Sequence, residues 1–263
     1  MILSDIIEEK RRAVAESKDK LPLDEIKDRL SSKKIPRRNF KHALSHQHAI
    51  NIIAEIKKAS PSRGVIRSDF NPVEIAKTYQ VNGAAAISVL TEERFFQGSL
   101  DYIKMVRSVC SLPVLRKDFI LDEYQVYESA LAESDAILLI ADLLTKKEIV
   151  SFSSIAKSCD MAVLCEVHTE EDIEKALSAH QDIIGINNRD LSTFKLHLST
   201  TQNLIGLIPQ DKIIVSESGI KSRSDVMFLK SLGINAVLIG EAFMDADNIG
   251  EMVREFTGIN HHG

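Results

Sequence analysis

A (β/α)8 barrel preceded by a helical extension is the fold the sequence predicts, and three observations predict it. From residue 50 onward, eight short apolar runs alternate with longer amphipathic stretches. The first halves of the runs are almost wholly apolar, the mark of parallel strands buried on both faces under helices. Eight such units within 263 residues favour a closed barrel over an open doubly wound sheet, and no GxGxxG turn speaks for the open form.

The elements follow in order. "LSDIIEEKRRAVAES", "LDEIKDRLSS" and "NFKHALS" read as helices before the first strand. They assign residues 1–48 to an extension covering the barrel mouth, with 1–263 a single domain. Strands are expected over 51–58, 84–91, 113–119, 136–141, 161–167, 182–188, 212–218 and 235–241. Helical patterns between them include "NPVEIAKTYQVNG", "SLDYIKMVRSVC", "DEYQVYESALAES", "TKKEIVSFSSIAKSC", "TEEDIEKALSA" and "SRSDVMFLKSLG". Asn71 and Thr169 occupy N-cap positions, and Gly83 and Gly233 stand where helices stop.

Composition narrows the class. Hydrophobic residues make up 44% and charged residues 27%, enough for a sizeable core. A net charge of -5 argues against a nucleic-acid binder, although a few local Lys and Arg suffice for an anionic substrate. Cys110, Cys159 and Cys165 are irregularly spaced and read as reduced thiols. No apolar stretch has signal-peptide or membrane-spanning length, so the expectation is a cytoplasmic protein without a membrane partner.

Polar residues are unevenly placed along the runs. Glu55, Lys57, Lys117, Glu166, Asn187, Glu217 and Ser218 all fall at C-terminal strand ends. A single charge there is ordinarily a solvated terminus, but barrel enzymes build their active sites from this end, and the whole set converges on one mouth. Side-chain alternation agrees: Glu55 shares a side with Lys57, Leu115 with Lys117, Leu164 with Glu166 and Gly185 with Asn187. Arg116 and Asp118 then face the helix layer or a loop.

"SESGI" and "LIGEAF" close the seventh and eighth strands and place Gly219 and Gly240 where backbone N–H groups approach a ligand. Loops after these strands form the common phosphate site of the fold. "KKASPSRG" adds the Ser60 and Ser62 hydroxyls and the Lys57 charge. A phosphorylated small molecule is the expected substrate. His46 and His48 are two apart and complete no ligand set, so no metal is expected. His168 reads as a solvated loop residue, and His261 and His262 as a frayed tail. On these residues alone, a sugar-phosphate isomerase barrel or a non-catalytic phosphate-binding barrel stays open. The Cys/Asp or paired-Asp set such isomerases use is not found, and the Lys57, Lys117 and Glu166 set speaks for catalysis.

"IIAEIKKASPSRG", "AAAISVLTEERFFQGSL", "PVLRKDFILDEYQVYES", "AILLIADLL", "IGINNRDLSTF", "VSESGI" and "LIGEAFM" closely resemble indole-3-glycerol phosphate synthase of tryptophan biosynthesis. The likeness runs from "MILSDIIEEKRRAV" almost to the C-terminus. It implies conversion of 1-(2-carboxyphenylamino)-1-deoxyribulose 5-phosphate to indole-3-glycerol phosphate, with loss of carbon dioxide and water and no cofactor. The chain ends soon after the eighth unit, so a monofunctional form is expected, and a monomer with it.

By that resemblance Lys117 is the general acid of ring closure and Glu166 the acid/base of dehydration. Lys57 holds the substrate carboxylate and assists proton transfer, and Glu55 orients the lysines. Asn187, Glu217 and Arg189 contact the sugar and the ammonium groups. Ser60, Ser218, Gly219, Gly240 and Glu241 contact phosphate and sugar, while Phe119 and Leu191 wall the aromatic ring, with Phe95 and Phe96 beside them. Two departures stand out. Glu241 replaces the serine of many relatives, so its N–H rather than its carboxylate is expected to face phosphate. The chain also lacks the tryptophan that some relatives place near the ring, leaving Ile6 or Ile7 to fill that space.

Overall fold

Residues 2–46, 50–190 and 196–259 are described by the computed structural model; His48, Leu191, His261 and His262 lie outside them. Eight parallel strands close into a barrel in sequence order, Asn51 pairing with Ala236 across the seam. The strands span Asn51–Ile56, Ala86–Leu90, Val114–Lys117, Ala136–Ile140, Ala162–Val167, Ile183–Asn187, Ile213–Glu217 and Ala236–Ile239. They are shorter than the apolar runs, which leaves Lys57, Ser218 and Gly240 on the loops above the mouth and Glu241 opening a short helix, Glu241–Met244.

Alternation divides the core in two. One set of side chains, including Ile53, Leu115, Leu138, Leu164, Val215 and Leu238, fills the barrel interior. The opposite set, including Ile52, Val114, Ile137, Cys165, Ile184 and Val237, packs against the surrounding helices. The expected caps form. The Asn71 side chain accepts from Val73 and Glu74 N–H, and Thr169 forms a capping box with Asp172. Gly83 and Gly233 each take φ +91°, where a Cβ would be strained.

Three features go beyond the sequence reading. A small antiparallel hairpin, Ala59–Ser60 with Gly64–Val65, follows the first strand. Helices Ser199–Leu204 after the sixth strand and Ile249–Thr257 near the C-terminus complete the outer ring. The extension, finally, spans the height of the barrel. Helix α1 (Ile2–Lys20) starts at the mouth, and its Lys10 forms a 2.7 Å ion pair with Asp118. Lower down, Lys18 reaches Asp122 at 2.7 Å, and Tyr124 packs against Val14 and, from α2 (Leu23–Ser32), Ile26. Arg37 then donates to the carbonyls of Ala130, Ser134 and Cys159, and Arg38 to those of Leu112 and Arg107. Phe40, opening α3 (Phe40–Ala43), and Leu44 join the interior cluster at the barrel floor.

Candidate active site

Above the last apolar interior layer, the inward positions become polar. Glu55, Lys117, Glu166, Asn187 and Glu217 each follow an interior residue by two and line one cavity of about 1050 Å³, its open mouth included. Cross-strand register levels several of them: Asn187 pairs with Glu217, and Glu166 lies opposite Gly185. Two glycines make this possible. A Cβ at Gly185 would collide with Glu217 Oε1, and one at Gly240 with Glu55 Oε1, so each gap admits a neighbour's carboxylate.

The centre of the cavity is ionic. Lys117 Nζ lies 3.2 Å from Glu166 Oε2 and 3.9 Å from Glu217 Oε2. Burial works against its charge, but Glu166, then Glu217 and Glu55, more than offset this and raise its pKa. Glu166 remains a carboxylate with a lowered pKa: burial opposes ionisation, and Lys117, His168 and the Asn187 amide, 2.9 Å from Oε1, outweigh it. Glu217 is pushed the other way, well above the carboxylate range, by burial and by the charge of Glu166. Two carboxylates around one ammonium thus divide into an anion and a group that readily holds a proton. Lys57 pairs with Glu55 at 2.8 Å, two strands round the barrel from Lys117.

The remaining charges of the third strand support rather than line this centre. Arg116 points away from the barrel interior, as alternation requires, and is held by Asp118, Glu128, Ser129 and the Gln125 carbonyl. Asp118 borders the cavity, but its oxygens are taken up by Lys10, Arg116 and Thr91. Burial opposes its charge; Lys10 and Arg116 prevail and lower its pKa to about 2.

Opposite Lys117, the mouth is built for an anion. Ser218 and Gly219 take φ +66° and +76°, a left-handed pair after the seventh strand, and Gly240 ends the eighth. Ser60 Oγ, on the hairpin, stands 3.5 Å from Ser62 Oγ. Arg189 Nη2 lies 3.3 Å from one Glu241 oxygen, and Arg63 Nη1 lies 3.2 Å from the other. The Glu241 carboxylate is therefore engaged by two arginines from different loops. The apolar side comprises Phe119, Phe96 (ring centroids 6.2 Å apart), Leu3 and Ile6. Gln125 fixes Phe119 through its carbonyl at 2.8 Å. Ile6, not Ile7, lines the cavity, and Phe95 lies outside it under Arg94.

Of the predicted site residues, Glu55, Lys57, Ser60, Lys117, Phe119, Glu166, Asn187, Arg189, Glu217, Ser218, Gly219, Gly240 and Glu241 all line this cavity; Leu191 is outside the described residues. Two residues escaped the sequence reading. Asn188 ties the sixth and seventh strand ends together through Ser216, the Glu217 carbonyl and Thr201. His168, expected in solvent, instead packs its ring 3.4 Å from Glu166 Oε1 with its side chain only 12% exposed. Its backbone N–H donates to the helix-capping Asp172.

Among known proteins, the sequence profile described as Indole-3-glycerol phosphate synthase matches residues 3–256. The chain belongs to the indole-3-glycerol phosphate synthase family. It is 51% identical over 255 residues to the indole-3-glycerol phosphate synthase of Alkaliphilus metalliredigens, covering 97% of each chain. It is likewise 51% identical to that of Caldanaerobacter subterraneus subsp. tengcongensis, covering 98% of this chain and 100% of the relative. Solved barrels share the fold at low identity: 3-hexulose-6-phosphate synthase from Salmonella typhimurium superposes with a TM-score of 0.65 at 14% identity, over 80% of this chain and 97% of that one. The family membership fits a cavity with an ammonium–carboxylate centre, an anion cradle and an apolar wall.

Proposed function

We propose that this synthase-family chain closes, decarboxylates and dehydrates 1-(2-carboxyphenylamino)-1-deoxyribulose 5-phosphate to indole-3-glycerol phosphate, as a decarboxylating carbon–carbon lyase of tryptophan biosynthesis. The observation that carries the reading is Lys117 between Glu166 and Glu217, facing an anion cradle across an apolar floor. The substrate phosphate lies against the N–H groups of Gly219 and Gly240 and the Ser60 and Ser218 hydroxyls, with Arg189 supplying charge. The anthranilate ring lies against Phe119, Phe96, Leu3 and Ile6, and Lys57 takes its carboxylate. The first helix of the extension thereby roofs the mouth.

In ring closure, the ring carbon bearing the carboxylate attacks the ketone carbon, and Lys117 delivers a proton to the oxygen that becomes a hydroxyl. An alkoxide is a strong base, so this transfer is favourable even from an ammonium whose proton the neighbouring Glu166 holds in place. Loss of carbon dioxide restores the benzene ring. The hydroxyl then departs as water with a proton assisted by Lys57, and Glu166 accepts the proton that the new five-membered ring gives up. Asn187 and Glu217 hold Glu166 and Lys117 in register.

No described helix is long and apolar enough to cross a membrane. Cytoplasmic location and a monomeric state complete the proposal; light scattering on the purified chain tests the latter. The activity is tested by following indole fluorescence with the purified chain and the anthranilate-derived ribulose phosphate. Product formation is expected, and its absence where a known synthase turns over would refute the assignment.

A further inference from the structure

Buried histidines normally satisfy at least one ring nitrogen, because an unpaired polar atom away from water is costly. His168 satisfies neither. Nδ1 and Nε2 are both shielded from solvent and lack a hydrogen-bond partner, although the imidazole sits beside the most polar part of the molecule. Its nearest charged oxygen is Glu166 Oε1, 3.4 Å from Nε2, just outside hydrogen-bond geometry. That oxygen already accepts from Asn187, whereas Oε2 faces Lys117 and the cavity. A leucine or phenylalanine would fill the same space without the polar cost, so packing alone does not account for an imidazole.

We propose that His168 is a positioning residue for the synthase reaction, its Nε2–H serving as a second donor to Glu166 Oε1 that closes on the carboxylate during turnover. With Asn187 and His168 both holding Oε1, the carboxylate has one anchored oxygen and one working oxygen. Oε2 is left to exchange protons with the substrate, and its direction is set from behind. The proton stays on His168 throughout; only the donor–acceptor distance shortens, so no step passes through the imidazole. The long contact fits an enzyme without substrate, since catalytic hydrogen bonds often tighten only in the reacting complex.

The inference rests on Glu166 being the acid/base of dehydration, and the experiment separates the two. Single-turnover and steady-state kinetics are measured for H168Q, H168F and, as a control, E166Q. Glutamine presents an amide N–H at a reach close to that of Nε2; phenylalanine fills the volume without a donor. H168F is expected to lose about 10-fold in kcat with KM unchanged, the size of one hydrogen bond to a charged group, while H168Q stays within about 3-fold of the parent. If E166Q slows turnover yet H168F does not, or if H168Q falls as far as H168F, the inference fails and Glu166 keeps its role. If E166Q is fully active, the reading of Glu166 fails first. Should H168F not fold, nitrogen NMR of the parent decides: a protonated Nε2 whose shift responds to E166Q supports the contact, and an unprotonated Nε2, or one indifferent to E166Q, overturns it.

Discussion

Replacing Lys117 with methionine keeps the length and most of the packing of the side chain and removes only the ammonium. Two consequences follow from distances already given. General-acid assistance contributes about 10²–10⁴ in rate, or about 2.7–5.4 kcal/mol at 1.36 kcal/mol per decade, so turnover falls by that amount. The substitution also strips the cation from Glu166 at 3.2 Å and Glu217 at 3.9 Å. Removing one partner of a buried ion pair costs about 3–5 kcal/mol when the other must stay charged. Here it need not, because burial already favours a proton on Glu217 and loss of Lys117 extends that preference to Glu166.

The folded variant therefore binds more protons than its unfolded chain from about pH 4.3 up to the raised folded values, and its stability falls as pH rises through that window. Urea melts at pH 5.5 and 8 read this directly, with the variant closer to the parent at pH 5.5. Indole fluorescence reads turnover. Near-normal turnover would return Lys117 to the status of an ordinary strand-end charge. A stability deficit equal at both pH values would refute the proton-uptake account.

Other outcomes follow from the same neighbourhood. Lys10→Met breaks the ion pair to Asp118 but leaves Arg116 and Thr91 on that carboxylate, so thermal melts should show a loss of about 2 kcal/mol, with a several-fold drop in kcat/KM. Against its burial, Lys10 and Arg116 hold the folded Asp118 down at about 2, against about 3.9 unfolded, giving roughly 2–3 kcal/mol that is fully present above the unfolded value and lost as pH falls through the folded one. Acid titration of Asp118→Asn should accordingly show its deficit shrinking below about pH 3; a constant deficit would contradict that pairing. Gly185→Ala drives a Cβ into Glu217 Oε1, so overpacking of about 1–3 kcal/mol and loss of activity are expected; a parent-like melting temperature would mean the carboxylate has another place to go.

The barrel and its mouth were legible because two periodicities coincide. Continuous apolar runs mark strands covered on both faces, and the two-residue alternation carries inward-facing Leu115 and Leu164 to Lys117 and Glu166. The hairpin at Ala59–Ser60 was not legible, since strands of two residues are too short to show a pattern. "STTQNL" hides a helix because it lacks apolar residues at helical spacing. The inward turn of His168 continues the Leu164–Glu166 alternation one step past the strand; what the sequence hides is its burial, which depends on Asp172 taking up the backbone N–H. Glu241, expected at the end of the eighth strand, instead opens a short helix, Glu241–Met244, and its bridging of Arg63 and Arg189 depends on two loops distant in sequence.

The extension that runs from mouth to floor also sets a schedule for biosynthesis. Its helices leave the ribosome before the barrel they dock on, and Lys18 waits for Asp122, Arg37 for Ala130, Ser134 and Cys159, and Lys41 for Asp182. At roughly 5–20 residues per second, these separations amount to roughly ten seconds during which the amphipathic helices have nothing to dock on. Contacts so far apart in sequence form late and slow the folding transition. The extension helices thus carry exposed apolar faces until half the barrel has emerged, and the side chains of α1 that border the cavity are seated only after the wall that supports them.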